Sequence, residues 1–283
     1  MRFWHLFISA AILSSCSVPD GDRMPILIDA VIDGDTSEYS FRKGDRMGLY
    51  AVCPAGEMAS AGNCVDNAGF TYDGSSWSSE QQTLWTDDVT PADLYCYCPY
   101  RENLGDAGKL VFETRTSQDT EENYHASEFR YGRILNVEPT SETVKITARS
   151  LMSRFCITVL PGAGYTEERL EAEGISISIV GLRTAAEIDL VSGTPAAAGE
   201  MQRIIPLRTE SGWKAMIVPQ KVTGWDVINM TVGGKSCHLG MDVIFEPGKL
   251  YTCTITADEL GDGVNLGIDS WEDLGIDYGG NVD

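Results

Sequence analysis

The stretch Ile175-Ser176-Ile177-Ser178-Ile179 alternates strictly between branched apolar and small polar residues. Since successive side chains of a β-strand point to opposite faces, this period of two predicts a strand with one buried face. The same alternation recurs along much of the chain, at residues 47–53, 94–98, 144–146, 155–159, 228–232, 241–245, 251–255 and 264–268. Strands therefore dominate the pattern.

Turn signals that contain glycine separate these stretches. They are Asp73-Gly74, Ser192-Gly193, Gly233-Gly234 and Pro247-Gly248, dipeptides that supply the tight backbone conformations of turns. Only residues 167–173 have a helical pattern. Many short strands without intervening helices predict an all-β fold of antiparallel β-sandwiches rather than a parallel α/β sheet.

The length of the chain favours two domains. Of its 283 residues, 43% are hydrophobic, which is enough for more than one apolar core. A polar, acidic, loop-rich stretch at residues 118–128 precedes a restart of long alternating strands. We expect an N-terminal β-sandwich domain at residues 35–147 and a C-terminal one at residues 148–283. Residues 16–34 are predicted to be an acidic tether that leads into a first extended segment, residues 26–32.

The N-terminus has the layout of a secretory signal peptide: Arg2, an apolar stretch at residues 3–13, and small residues before Cys16. The sequence Leu13-Ser14-Ser15-Cys16 also matches the bacterial lipoprotein signal, in which the cysteine thiol is acylated before cleavage. The apolar stretch is too short to span a bilayer, which takes about 20 residues. We predict a signal peptide at residues 1–15 and a lipid anchor such as palmitate on Cys16.

The charge of the chain excludes one class of partner. There are 42 acidic residues against 21 lysines and arginines, a formal net charge of −21 at pH 7. Affinity for nucleic acid comes largely from cationic neutralisation of phosphates, so no nucleic acid is expected to bind.

Seven cysteines remain when Cys16 is set aside, and export would place them where disulfides can form. Cys53 and Cys64 flank a loop that contains proline and glycine, and they are the candidate disulfide. The alternative is that both stay reduced. Cys96 and Cys98 lie two apart in a strand pattern and should face the same side. They lack a second Cys or His pair at finger-like spacing, so no metal site is predicted.

The sequence offers little for catalysis. Outside the signal segment, histidine occurs at positions 125 and 238. Cys237 and His238 are neighbours on a predicted strand, so their side chains should point to opposite faces. The sequence has no nucleophile elbow, no phosphate-binding loop and no zinc-protease helix. We predict no catalytic residue and no cofactor, and we do not expect an enzyme.

Aromatic residues cluster in the first half of the chain, and two interpretations are open. They are Trp77, Trp85, Tyr95, Tyr97 and Tyr100. Such rings can stack on sugars at a lectin surface, or they can fill a sandwich core and its rim. Their strand spacing favours the core.

Several short motifs follow one another in a characteristic order. They are Phe41 with Gly44-Asp45 and Gly48-Leu49-Tyr50, then Phe70-Thr71-Tyr72-Asp73-Gly74 with Trp77 and Trp85, then Asp93-Leu94-Tyr95-Cys96-Tyr97-Cys98-Pro99-Tyr100, and later Thr184-Ala185, Asp189-Leu190, Ser192-Gly193, Gly248, Tyr251 and Ile268-x-x-Trp271. This succession resembles the fimbrillin family of surface lipoproteins in Bacteroides-like bacteria, over about residues 38–275. Cys96 and Cys98 depart from that family, in which small or aromatic residues are common at these positions.

The resemblance implies a fold of two tandem transthyretin-like β-sandwich domains. It also implies a pilus subunit or accessory adhesin that travels as a lipoprotein and assembles by strand exchange. In that family, polymerising subunits are cut after a basic residue near the N-terminus, which removes the first strand and opens a groove for a neighbour's strand. Arg23 and Arg46, with Arg42 and Lys43, are the candidate cut sites. Val264, Leu266 and Ile268 are the candidate donor strand, or else the last strand of their own domain.

The expected partners follow from this resemblance. They are other pilin subunits, the outer membrane through the lipid on Cys16, and a host protein or glycan as receptor. The expected location is the surface of the outer membrane or the fimbrium. The alternative function is a monomeric surface lipoprotein that binds glycans through exposed aromatics, and exposed Trp77 and Trp85 would favour it.

Overall fold

The computed structural model describes residues 23–32, 40–260 and 263–273. The predicted signal peptide and Cys16 lie outside these residues. Within them the chain folds almost entirely into strands, which confirms the predicted all-β class. Two short helices, α1 (Glu121–His125) and α2 (Glu167–Glu173), interrupt the strands. The described part of the chain contains no helix that is long and apolar enough to cross a membrane.

The strands are numbered in chain order. The strands of the first half are β1 (Ile28–Ile32), β2 (Arg46–Val52), β3 (Val65–Tyr72), β4 (Trp77–Ser79), β5 (Ala92–Cys98), β6 (Leu110–Glu113), β7 (Arg130–Val137) and β8 (Val144–Ser150). The strands of the second half are β9 (Ser153–Pro161), β10 (Ile175–Asp189), β11 (Thr194–Ile204), β12 (Leu207–Thr209), β13 (Gly212–Ile217), β14 (Gln220–Val232), β15 (Lys235–Phe245), β16 (Leu250–Leu260) and β17 (Gly263–Asp273).

The first sheet has seven strands in the order β1-β8-β7-β5-β2-β3-β4. Its neighbours run antiparallel except β1 and β8, which are parallel. β1 thus lies at the edge of this sheet, beside β8, which is the last strand of the sheet in chain order.

The second half of the chain forms two sheets that enclose one core. One has the order β11-β10-β14-β15, with β6 of the first half paired to β10, and the other has the order β12-β13-β9-β16-β17. Their shared core includes Phe155, Ile157, Ile177, Ile179, Met230 and Tyr251. Residues 175–179 behave as their alternation predicts: Ile177 and Ile179 are buried in this core, while Ser176 on the other face is exposed. Ser178 is buried as well, on the face opposite the isoleucines.

Two further cores lie on the two faces of the first sheet. The first core contains Ile26, Ile28, Ala30, Leu49, Phe70, Trp77, Trp85, Leu94, Cys96, Cys98, Val144 and Ile146. The middle core contains Tyr50, Tyr95, Tyr97, Phe112, Phe129, Tyr131, Ile188, Met216 and Val218. Because β2 and β5 contribute alternate residues to both cores, these central strands are buried on both faces.

The middle core joins the two halves of the chain. It takes side chains from β2 and β5 and also from β10 and β13. β8 spans the predicted boundary between residues 147 and 148, and β6 pairs with β10 across it. The division of the chain into two tandem domains at that position remains a proposal.

The acidic stretch at residues 118–128 is more ordered than a polar loop. It contains α1, whose first turn is capped by the Thr120 hydroxyl accepting the Asn123 N–H. Gln118 is fully buried: its side-chain amide donates to the Met216 carbonyl at 2.9 Å and accepts the Met216 N–H at 2.7 Å. A polar side chain is stable at this depth because both of its polar atoms are hydrogen-bonded.

Candidate functional site at the first strand

The first strand pairs with β8 along its whole length. The register runs in parallel from Ile28 opposite Val144 to Ile32 opposite Ala148. Just before the strand, the Val144 N–H donates to the Leu27 carbonyl at 2.8 Å. One side of the first strand is therefore held by backbone hydrogen bonds from β8.

The other side of the same segment is held by residues 83–85, which precede β5. The Ile26 N–H donates to the Thr83 carbonyl at 2.8 Å, and the Trp85 N–H donates to the Met24 carbonyl at 2.9 Å. Residues 24–32 thus lie in a slot between β8 and residues 83–85. We call this the first-strand slot.

Alternate side chains of residues 24–32 point into the first core. Ile26, Ile28 and Ala30 belong to this core and are 2%, 5% and 3% exposed, and Ile32 at the end of the strand is 9% exposed, whereas Leu27 is 43% exposed. Burying one isoleucine stabilises a fold by roughly 1.5–3 kcal/mol. The segment is therefore a major part of the core, and its departure would uncover an apolar groove between the partners that hold it.

The predicted cut sites lie on different sides of this segment. Arg23 comes directly before it, so a cut there leaves the segment attached to the rest of the chain. Arg42, Lys43 and Arg46 follow it, and all three side chains are exposed. Arg42 and Lys43 belong to the exposed turn before β2, and such turns are the preferred sites of proteolytic nicking, whereas Arg46 is the first residue of β2. A cut after any of the three would separate β1 from the rest of β2.

Residues 41–46 fold against a part of the molecule that is distant in sequence. The Arg46 guanidinium lies over the Tyr100 ring, 4.7 Å from its centroid, and the Tyr100 N–H donates to the Arg46 carbonyl at 2.9 Å. The Phe41 ring lies 5.2 Å below the Arg130 guanidinium. We call residues 41–46 the covering segment.

Asp45 is the polar anchor of the covering segment. Its carboxylate oxygens lie 3.1 Å and 3.2 Å from the Nε2 atom of His125. Burial alone would raise the pKa of Asp45. The hydrogen bond with His125, together with that from the Arg42 N–H, outweighs burial and holds this pKa below its usual value. The folded protein therefore favours Asp45 in its charged form.

Cys98 borders the same region, but its thiol is not poised for catalysis. The residue is 8% exposed, and burial raises the pKa of its thiol to about 12. A thiol of this kind is protonated at neutral pH and is a poor nucleophile. The second predicted pair behaves as its strand position requires, since Cys237 is buried and His238 is exposed on opposite faces of β15.

The candidate disulfide pair lies close together with both thiols reduced. The Cys64 thiol donates to the Cys53 carbonyl at 3.3 Å and lies 2.9 Å from the Thr86 hydroxyl. Burial, followed by the hydrogen bond with Cys64, raises the pKa of Cys53 to about 12. Whether the pair is oxidised in the exported protein stays a prediction.

The candidate donor strand lies in β17, at the edge of the third sheet. Val264, Leu266 and Ile268 stand opposite Glu259, Ala257 and Ile255 of β16 in an antiparallel register. In this structure β17 is thus paired within its own chain. Donation to a neighbour would require this strand, or the chain that follows it, to change partner.

The aromatic residues that could have stacked on sugars are mostly in the cores. Trp77 is 8% exposed and Trp85 is fully buried, and their indole N–H groups donate to the Ala30 and Thr140 carbonyls. The exposure that would have favoured a glycan site at these two residues is therefore not found. Tyr100, in contrast, is only half-buried.

The contact between the covering segment and α1 has no local signal in the sequence. Asp45 and His125 are 80 positions apart, and His125 lies in a stretch whose polar, acidic composition predicts a loop. The helix N-cap at Thr120 is the available signal for α1 itself, since threonine followed by acidic residues is typical of a helix start.

The three sheets and their cores define an all-β protein of the β-sandwich class. Residues 31–271 match the fimbrillin-like family, and the chain belongs to this family. Membership supports a pilus-like adhesive subunit rather than an enzyme, in agreement with the resemblance of its sequence motifs. No curated protein matches the chain.

Solved structures share the fold across almost their full length. A candidate cell adhesion protein from Bacteroides uniformis is 21% identical, with a TM-score of 0.69 over 90% of this chain and 99% of the other. One from Bacteroides ovatus is 14% identical, with a TM-score of 0.69 over 89% and 98% of the two chains. A fimbrial protein from Bacteroides vulgatus is 13% identical, with a TM-score of 0.54 over 88% and 99%. At these identities the likeness establishes the fold.

Proposed function

We propose that this chain is a fimbrial subunit that assembles by strand replacement. It is exported as a lipoprotein through Cys16 to the outer membrane, where a protease cuts within residues 42–46. Residues 24–32 then leave the first-strand slot, and an extended strand of another subunit fills it. The observation that carries the proposal is an N-terminal segment, residues 24–32, that bonds to residues 83–85 through its first residues and to β8 through the rest, is buried on one face, and is followed by exposed basic residues.

The chemistry of an emptied slot favours a strand as its occupant. The Val144 and Trp85 N–H groups would lose their acceptors, and the pockets of Ile26 and Ile28 would open. An added strand satisfies exposed backbone groups, and its alternate side chains fill such pockets. Only a segment with apolar residues at every second position meets both needs.

The chain itself contains a segment of this kind. Val264, Leu266 and Ile268 have the same period of two as Ile26 and Ile28. We therefore assign β17 as the donor. The supporting observation is its position at a sheet edge, since an edge strand has a partner on one side and can leave more readily than a central one.

Proteolysis of the full-length chain tests this function. Treatment with an arginine-specific protease should give a new N-terminus within residues 43–47 and then SDS-resistant ladders on gels. The double variant Arg42→Ala/Arg46→Ala should resist the cut and stay monomeric, whereas Arg23→Ala, the matched control, should assemble. Wild-type protein that is cut in this region and remains monomeric would refute the polymerising function.

A further inference from the structure

A cavity of about 670 Å³ lies between the covering segment, the end of β5 and the chain around α1. Its volume is within the range of small-molecule sites, which is roughly 300–1,000 Å³. Its wall combines apolar and aromatic surface with charged groups. It lies outside the first-strand slot, since none of residues 24–32 lines it.

The charge of this wall differs from that of the whole protein. The net charge of the chain is −21, yet the wall contains four arginines and a histidine against three acidic residues. The basic residues are Arg46, Arg101, Arg115, Arg130 and His125, and the acidic ones are Asp45, Glu113 and Glu128. A local excess of cations on an acidic protein favours an anionic ligand over a neutral or cationic one.

The cations of the wall differ in whether they have partners. Arg130 and Glu128 form a buried ion pair with an N–O distance of 2.5 Å, and Arg46 lies over Tyr100. Among the described residues, by contrast, neither the Arg101 nor the Arg115 side chain makes a hydrogen bond or ion pair. Guanidinium groups bind carboxylates through two parallel N–H···O bonds, so these two arginines are suited to a carboxylate ligand.

Tyr100 adds an aromatic surface beside these cations. It is half-buried, and the covering segment places the Arg46 guanidinium over its ring. The apolar C–H groups of a pyranose can pack against the part of this ring that Arg46 leaves uncovered, and the phenol oxygen, which donates to the Asn67 carbonyl at 3.4 Å, can accept from a sugar hydroxyl. A cavity of this volume with an aromatic ring in its wall suits one or a few sugar rings better than an extended acidic peptide, which needs a long groove.

We propose that this cavity binds an acidic saccharide, with Arg101 and Arg115 on its carboxylates and the exposed part of Tyr100 against a sugar ring. The covering segment narrows the site in the uncut chain, because it contributes Asp45 to the wall and Arg46 over the ring. A cut after Arg46 would remove both residues and leave a new cationic amino group at Met47. This opening by a cut rests on the proposed function, whereas binding by the full-length chain does not.

Isothermal titration of the full-length chain tests the site, with trigalacturonic acid as the charged probe and maltotriose as the neutral one. Wild-type protein should bind trigalacturonic acid and not maltotriose. Arg101→Ala/Arg115→Ala should weaken binding at least tenfold, since charge-assisted hydrogen bonds are lost. Tyr100→Leu should also weaken it, and Asp45→Asn should strengthen it. Arg203→Ala, an exposed arginine outside the cavity, is the matched control and should leave affinity unchanged.

Circular dichroism checks that the variants are folded, and the other results of the titration are then interpreted as follows. No binding of trigalacturonic acid, or equal binding by the double variant, overturns the proposal. If pentaglutamate binds as tightly as trigalacturonic acid, and if the same double variant no longer binds it, the ligand is an acidic peptide and the saccharide proposal is overturned. If the sugar binds but the protease produces no assembly, the saccharide site stands and the strand-replacement function fails.

Discussion

The indole N–H of Trp77 donates a hydrogen bond to the carbonyl oxygen of Ala30, with an N–O distance of 3.1 Å. This bond joins β4, at one edge of the first sheet, to β1, at the other edge. The sheet therefore curls until its two edges meet around the first core. The strand that we propose to be replaced is also the strand that closes this curl.

Replacing Trp77 with phenylalanine should loosen the first strand. The ring remains, but the buried Ala30 carbonyl loses its donor, at a cost of about 1–3 kcal/mol. We expect a lower free energy of unfolding in urea and faster hydrogen exchange in residues 24–32. Trp213→Phe makes the same change in the core of the second half and should leave exchange in residues 24–32 unaltered. Equal exchange in wild type and Trp77→Phe would contradict the role of this bond.

The contact between Asp45 and His125 should make stability depend on pH. The pKa of Asp45 is lower in the folded chain, so its charge stabilises the fold above its ordinary pKa, and this stabilisation is lost as pH falls through the folded value. Asp45→Asn should thus be less stable than wild type at pH 7, with the difference vanishing in acid. Urea unfolding across this pH range measures it. Asp88→Asn, at an exposed acid, is the control, and a difference that persists unchanged in acid would refute the prediction.

Oxidation of the exported chain should join Cys53 and Cys64. Two thiols become one disulfide, so the intact mass falls by two hydrogens, and the oxidant is the thiol-oxidising system of the exported compartment. Because the pKa of Cys53 is about 12, thiolate is scarce and air oxidation should be slow. Mass spectrometry of secreted protein checks this prediction. The loss of two hydrogens should be absent in Cys64→Ser and present in Cys237→Ser. An unchanged mass for the secreted wild-type protein would show that the two cysteines are reduced, and the prediction would be wrong.

The face of β17 that carries Leu266 should be needed for assembly. Leu266→Asp places a charge among the apolar positions of the candidate donor strand, whereas Asn265→Asp places the same charge on the opposite face. After the protease cut, Leu266→Asp should stay monomeric and Asn265→Asp should form ladders. Ladders of equal yield from both variants would show that β17 is not the donor strand.

The sequence predicted the parts of the fold that depend on local pattern. The alternation at Ile177 and Ile179 identified a real strand and its buried face, and the strand spacing of Trp77 and Trp85 correctly favoured the core. The short motifs also identified the family. In each case neighbouring residues determine the result, because strand periodicity acts over a few positions.

The parts that were not predicted depend on contacts between distant residues. Nothing local indicates that β1 should pair in parallel with β8, or that β6 should pair with β10. The burial of Gln118 depends on Met216, which is 98 positions away. Asp45 likewise needs His125, and the cavity beside them exists only once the chain is folded.

Residue-resolved hydrogen exchange of the Val144 and Trp85 amides tests strand replacement most directly. Both amides donate to residues 24–32 in the uncut chain, at 2.8 Å and 2.9 Å, so both should be protected. We predict that protection is lost when the cut chain is held as a monomer and returns when it assembles, because a donor strand then accepts the same hydrogen bonds. Protection that survives the cut in the monomer, or assemblies in which these amides stay exposed, would contradict the account.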